Sequence, residues 1–483
     1  MELKAAETAA ALHFETLDTT ITDRREYEMA LKHAPVILFD VREPFLPSVI
    51  GYTVFRQDGR SPSFPRDITM PPGVVCAIEY AVWWDWEIQH LYELEHIWVY
   101  VGADDQVVAV DASWHGGFHV MTGADGNPPL DDGRAVVFSE SGKHAFAPVI
   151  DWMMERKPTT DNSCGRSSGR MGVHVTPLFE GVIDDRTPLN NNVVHAYLES
   201  LRFEPTYDFS LRFDTRKAVF VPWQALNTWI PKRVKWWADY VRENTPPDQR
   251  RPLRIAHRGA SAYAQEGSQA SVEKAAELGA DMIEIDIRVT RDDVPVIAHD
   301  SSLKRVFGVS GEINELTLEE LKAVTPEGRQ PVLTFDEMLD LCSKLGLGLY
   351  LDIKEITPTA MFTVAESLRR KGMMRYAIFG SFRPDLLAEI KAAAPSAVTS
   401  ILFSSTHVDP VALASAVKAD YVHPCWERFE SPSSLLTPEW IDQVRGAGLG
   451  IVCWHEERPS EIAALNALGV DGICSDQPEL LVR

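Results

Sequence analysis

The 483-residue chain contains no uninterrupted apolar run long enough to cross a bilayer, although 45% of its residues are hydrophobic. A spanning helix needs about 20 consecutive apolar residues, so membrane insertion is not expected. The opening Met1-Glu2-Leu3-Lys4-Ala5 leads into acidic and polar residues and lacks the basic segment and apolar core of a secretory signal. The expected compartment is the cytoplasm. Positive charge is scarce, with 47 Lys and Arg against 70 Asp and Glu and a net charge of -23. That balance disfavours nucleic acid and anionic membranes as partners, while leaving room for a local basic pocket that takes phosphate. Cysteine is sparse: Cys76, Cys164, Cys342, Cys425, Cys453 and Cys474 are scattered without paired spacing. They read as buried, reduced thiols and not as disulfides or a zinc cluster.

A chain of this length exceeds what one hydrophobic core normally supports, which favours two domains. Prolines and charges interrupt the apolar pattern between Glu243 and Pro252, and composition shifts there. Ten of the 13 tryptophans and nine of the 14 histidines precede that point, whereas the part beyond is rich in Ala and Leu at helical spacing. The expected organisation is an N-terminal domain over 1–243, a linker over 244–253 and a C-terminal domain over 254–483.

From Arg254 onward, short apolar runs alternate with amphipathic ones. Strands are expected at Ile255-Ala256, Met282–Ile287, Gly348–Ile353, Tyr376–Phe379, Ala397–Phe403, Asp420–His423, Gly450–Trp454 and Asp471–Cys474, with helices between them such as 269–278, 361–370 and 384–393. Eight strands in about 230 residues are the size and repeat of a (β/α)8 barrel. Such a barrel collects its active site at the C-terminal strand ends, and His257, Glu284, Asp286, His299, Asp352, Lys354 and Trp454 fall at those ends or just beyond. The chemistry of these groups is coherent. Two histidines can exchange protons near neutral pH. Carboxylates at i and i+2 of a strand point to one face and can share a hard cation, and an arginine such as Arg258 can grip phosphate oxygens.

His257-Arg258-Gly259, Glu284-Ile285-Asp286 and His299-Asp300 resemble the HRG, E-x-D and H-D motifs of the glycerophosphodiester phosphodiesterases, and Gly279-Ala280-Asp281 precedes the E-x-D strand as is common there. The resemblance covers roughly Arg254–Arg483. It departs in two places: Gln265-Glu266-Gly267-Ser268 stands where the family has Pro-Glu-Asn-Thr, and Asp352-Ile353-Lys354 where it has E-x-K. The resemblance implies one divalent cation on Glu284, Asp286 and Asp352, and His257 and His299 as the acid-base pair. It further implies phosphate binding by Arg258 and Lys354, and Trp454 as an aromatic wall of the pocket. Oxygen-only ligands favour Mg²⁺ or Ca²⁺ over zinc. The expected activity is hydrolysis of a small glycerophosphodiester or sugar phosphodiester to a phosphomonoester and an alcohol. Two alternatives stand beside it: an agrocinopine-type or phospholipase D-like enzyme, the latter releasing a cyclic phosphate, and a binding protein that holds a phosphodiester without turnover. Oligomeric state is not readable.

The N-terminal half carries aromatic and β-branched residues at strand-like alternation from Val74 to Val101, with further strands expected at 107–110, 135–138 and 218–221 and a Trp-rich helix near 226–242. A mainly β, sandwich-like domain is expected. Glu87, His90, Glu93, Glu95, His96, His115, His119 and His144 are dense enough to raise a second site, either a metal site or a carbohydrate cleft. The other readings of this half are a substrate-shaping or binding role and a purely structural or oligomerising one.

Overall fold

The computed structural model describes residues 13–482, so the N-terminal segment read above against a secretory signal lies outside the described residues. Contact density divides the chain into two compact units. One comprises Met1–Arg186 and Val193–Thr245, the other Thr187–Asn192 and Pro246–Arg483.

The second unit is an eight-stranded parallel barrel: β1 (Leu253–His257), β2 (Met282–Val289), β3 (Gly348–Ile353), β4 (Ala377–Ser381), β5 (Val398–Phe403), β6 (Tyr421–Pro424), β7 (Gly450–Cys453) and β8 (Gly472–Ser475). Pairing of β1 with both β2 and β8 closes it. All eight strands coincide with apolar runs legible in the sequence, because in a parallel barrel both strand faces are buried. The two faces have different jobs. Ile255, Met282, Tyr350, Ile378, Leu402, Tyr421, Val452 and Cys474 fill the interior. The intervening Ala256, Ile283, Ile285, Leu349, Leu351, Phe379, Ile401 and Ile473 pack outward against the helices. Helix starts are set by local chemistry: Thr317 and Thr334 each form a capping box with the glutamate three residues on. A short antiparallel strand, Pro295–Ile297, pairs with the C-terminal end of β2 and delivers the chain to His299.

The first unit is built mainly of two sheets. The larger has the order Val219–Pro222, Val49–Phe55, Val74–Glu87, His90–Gly102, Val107–Trp114, Gly117–Val120, with Gly172–Val173 beside the fourth strand. The smaller runs Phe146–Ala147, Arg134–Ser139, Val36–Phe39, Leu211–Asp214. Phe39 and Phe146 of the smaller sheet pack on Trp84 of the larger, the sandwich-like contact that the alternation implies. The run from Val74 to Val101 is a hairpin whose strands turn at Ile88-Gln89. Helix Trp223–Asn244 lies on the larger sheet so closely that a Cβ added at Gly51 would come within 2.8 Å of the Leu226 side chain. The same helix buries Arg233 completely, against Asp85 at 2.6 Å and among the rings of Phe14 and Trp229. Among the described residues no helix is long and apolar enough to cross a membrane.

Candidate active site

Strand register builds the site. His257 pairs with Glu284 across β1 and β2, and Asp286 with Asp352 across β2 and β3. Each shares the strand parity of Ile255, Met282 and Tyr350, so the same alternation that fills the barrel interior brings these groups to its C-terminal mouth. Glu284, Asp286 and Asp352 are buried, and one oxygen from each lies within 4.8 Å of the others. Glu284 Oε1 and Asp352 Oδ1 have no hydrogen-bond partner. Burial and mutual repulsion push the Glu284 carboxyl well above its ordinary value and that of Asp352 to about 6. Three converging carboxylates with partnerless buried oxygens fit a hard divalent cation, which would restore their ionised form.

Two fixed cations border the carboxylates. Lys354 Nζ lies 2.5 Å from Asp352 Oδ2 and 3.0 Å from Asp286 Oδ1. Although burial opposes its charge, these two aspartates raise its pKa. Arg258 Nε is 3.2 Å from Asp286 Oδ2, and the Arg258 backbone N–H donates to Glu284 Oε2 at 3.0 Å. That backbone contact comes from an unusual turn in which Arg258 has φ +54° and Gly259 φ +83°. A side chain at 259 would bring its Cβ to 2.4 Å from Ser271 Oγ and 2.8 Å from the Ser271 backbone, so the third residue of His257-Arg258-Gly259 is dictated by space as well as by φ.

Both histidines are backed by aspartates. His257 Nδ1 donates to Asp476 Oδ1 at 2.6 Å, while its buried Nε2 is partnerless and 3.9 Å from Glu284 Oε2. Burial lowers the His257 pKa, opposed by Asp476. Although burial alone would raise it, bonds from His257 and Ser261 bring Asp476 down to about 2. His299, one-third exposed, has Nδ1 2.7 Å from Asp300 Oδ1. Asp300 in turn accepts from Arg305, which also pairs with Glu266 at 2.6 Å. Glu266 is the residue retained in the altered Gln265-Glu266-Gly267-Ser268 loop, and it contacts Arg258 at 3.3 Å. Trp454 packs edge-on against His257 at 4.9 Å, with Lys354 5.6 Å from its ring.

The structure thus brings seven of the eight expected site residues into one chain of contacts at the barrel mouth. His299 joins them through Asp300, Arg305 and Glu266, and it lines one cavity with Arg258 and Asp286. Asp476, Arg305 and His455, which stacks on His257 at 4.9 Å, were not legible as site residues. Asp476 immediately follows the eighth strand, and the strand-end argument applied there would have found it.

The acidic and histidine residues of the first unit do not converge in the same way. His90 faces Glu87 at 3.3 Å, His115 pairs with Glu140 at 2.6 Å, His144 with Glu43 at 3.3 Å, and His96 with the Ser63 hydroxyl at 2.9 Å. His119 packs on Trp152. Among the described residues, both groupings of three or more metal-competent side chains lie in the second unit.

Comparison with known proteins marks the barrel as an enzyme of the phosphoric diester hydrolase class. Residues 257–480 match the Glycerophosphoryl diester phosphodiesterase family, and this half of the chain is a domain of that family. A glycerophosphodiester phosphodiesterase of Caldanaerobacter subterraneus is 27% identical over 241 residues, covering 48% of this chain and 96% of the relative. A putative glycerophosphodiester phosphodiesterase of Bacillus subtilis is 28% identical over 47% of this chain and 96% of its own. The crystal structure of the Thermotoga maritima glycerophosphodiester phosphodiesterase is 27% identical and covers 48% of this chain and 97% of that one, with a TM-score of 0.41.

Proposed function

We propose that the barrel hydrolyses a small glycerophosphodiester, or a sugar phosphodiester, to a phosphomonoester and an alcohol. The observation that carries this reading is the meeting of three buried carboxylates with partnerless oxygens and the partnerless Nε2 of His257 at one barrel mouth. Glu284, Asp286 and Asp352 would hold one divalent cation, Mg²⁺ or Ca²⁺, which when bound supplies Lewis-acid charge to the phosphoryl oxygens. Arg258 and Lys354 add fixed positive charge beside the equatorial oxygens, where negative charge grows in the transition state. His257, fixed by Asp476 with Nε2 facing the carboxylates, takes or gives the proton on one side of phosphorus. His299, fixed by Asp300, serves the other side. Each such transfer is worth about 10²–10⁴-fold in rate. Trp454 excludes water along one wall of the pocket. The two relatives support glycerophosphodiesters as the substrate class, since both are named for that activity.

The test is release of sn-glycerol 3-phosphate from glycerophosphocholine, with EDTA and with Mg²⁺ or Ca²⁺ restored. Cation-dependent turnover, lost by about 10²-fold or more in His257→Ala and His299→Ala, is the expected result. Full activity in either variant would overturn the histidine assignments. A cyclic phosphate seen by phosphorus NMR would replace hydrolysis with internal transfer.

For the first unit we propose a role in shaping or binding substrate. Deleting it from an active enzyme should then change kcat/KM among glycerophosphodiesters of different alcohols.

A further inference from the structure

Beside the carboxylate cluster stands a second, chemically different grouping. His257, His455 and Asp476 each offer a ligand atom within 4.8 Å of the others. The two imidazoles stack at 4.9 Å with their planes 28° apart, and Asp476 reaches both, with Oδ1 2.6 Å from His257 Nδ1 and Oδ2 4.0 Å from His455 Nε2. Glu457 Oε2 adds a further oxygen 3.6 Å from His455 Nε2. His455 Nδ1 is buried without a hydrogen-bond partner. The donor types separate the two sites: three carboxylates suit Mg²⁺ or Ca²⁺, whereas two imidazoles and a carboxylate suit Zn²⁺ and its neighbours in the transition series.

We propose that His257, His455 and Asp476, with Glu457 in reserve, form an inhibitory site for a borderline transition-metal cation, Zn²⁺ above all. The inhibitory part rests on the proposed acid-base role of His257; the site itself does not. A cation ligated by the Asp476-facing Nδ1 displaces the proton that now sits between them. The neutral ring can then carry a proton only on Nε2, the nitrogen facing Glu284. In that form Nε2 cannot accept a proton from a nucleophile, and a metal-bound imidazole gives up its last proton poorly. The hydrolytic cation stays in place on its own ligands, so inhibition arises without competition for the carboxylates.

The experiment has a binding arm and an activity arm. In the binding arm, Glu284→Gln weakens the carboxylate site, and Zn²⁺ titration with Co²⁺ as the spectroscopic probe follows what remains. One remaining site with X-ray absorption features of two imidazoles is expected, absent from the Glu284→Gln, His455→Gln double variant and, as a check independent of His455, from Glu284→Gln, Asp476→Asn. In the activity arm, Ca²⁺-loaded or Mg²⁺-loaded full-length enzyme is titrated with Zn²⁺. With each rate referred to the variant's own zinc-free rate, His455→Gln should raise the inhibitory Zn²⁺ concentration about tenfold or more. Zinc uptake that vanishes with Glu284→Gln and ignores both histidine-side changes would overturn the proposal, placing zinc among the carboxylates. If no phosphodiester is turned over, the function reading fails, and the binding arm alone still decides the site.

Discussion

The Asp476–His257 contact is the residue-scale feature with the sharpest consequence. Asp476 accepts from Nδ1 and so fixes Nε2 as the nitrogen presented to Glu284. Its carboxyl, held at about 2, stays ionised through any practical assay range. Asp476→Asn keeps the shape but can turn its amide N–H₂ toward Nδ1, which favours the opposite tautomer. An outer partner of this kind typically costs about 10–100-fold when lost. The expected outcome is a fall in kcat of that size with KM and thermal midpoint unchanged, read by steady-state kinetics beside calorimetry. A parallel loss of folding stability would mark Asp476 as merely structural. Much of this site was legible residue by residue, because β-strand parity alone aligns Glu284 with Asp286 and places Asp352 and Lys354 at the next strand end. Asp476 meets the same strand-end criterion, but its pairing with His257 spans 219 positions and depends on the barrel closing. The altered loop illustrates the same limit. Glu266, the glutamate kept in that loop, pairs with Arg258 and Arg305 and links the two histidine-bearing segments.

At the scale of elements, closure of the barrel depends on a charged joint at the N-terminal end of the first two strands. Asp281, just before β2, accepts from Arg251 at 2.6 and 3.0 Å and from the Arg254 guanidinium at 3.0 and 3.1 Å, and it also caps the Arg254 backbone N–H at 3.0 Å. Although burial opposes its charge, Arg251 and Arg254 hold this carboxyl well below the ordinary value of 3.8. A depressed folded-state pKa stabilises the fold at pH above the unfolded value, and that contribution is lost as pH falls from about 4 toward the lower folded value. Asp281→Asn is expected to destabilise the barrel by about 1.5–3 kcal/mol at pH 7, because two half-buried guanidinium groups lose the counter-charge of the buried carboxylate. The deficit should shrink as denaturation is measured at progressively lower pH below about 4. A deficit independent of pH would remove the charge argument. Gly259→Ala tests a neighbouring element, the turn after β1. Overlap with the Ser271 backbone and a positive φ both oppose it, so loss of cation affinity is expected through displacement of the Arg258 N–H that braces Glu284. Isothermal titration with Ca²⁺ would read it.

On the scale of the whole molecule, the two halves differ in how openly their sequences declare the fold. Every barrel strand stood out as an apolar run between amphipathic helices, since a parallel strand sandwiched between an interior and a helix layer is hydrophobic on both faces. In the first unit, Val36–Phe39, Val49–Phe55 and Leu211–Asp214 were not separable from loop, because they pair with partners far along the chain. Its histidines are dense enough in sequence to raise a second site, either a metal site or a carbohydrate cleft, and only the three-dimensional pairings with Glu43, Glu87 and Glu140 distribute them among separate partners. This division makes cation binding a test of architecture. A ligand that binds only the folded state stabilises it by about 2.7 kcal/mol at a concentration 100 times its Kd, and the stabilisation belongs to the unit that holds the ligands. Glu284, Asp286 and Asp352 all lie in the second unit. Saturating Ca²⁺ or Mg²⁺ should therefore slow hydrogen exchange in peptides covering β1 to β3 and leave the hairpin from Val74 to Gly102 unchanged. Protection appearing first in that hairpin would mean that the carboxylates Glu87, Glu93 and Glu95 capture the cation, and the hydrolytic site would have to be sought in the first unit.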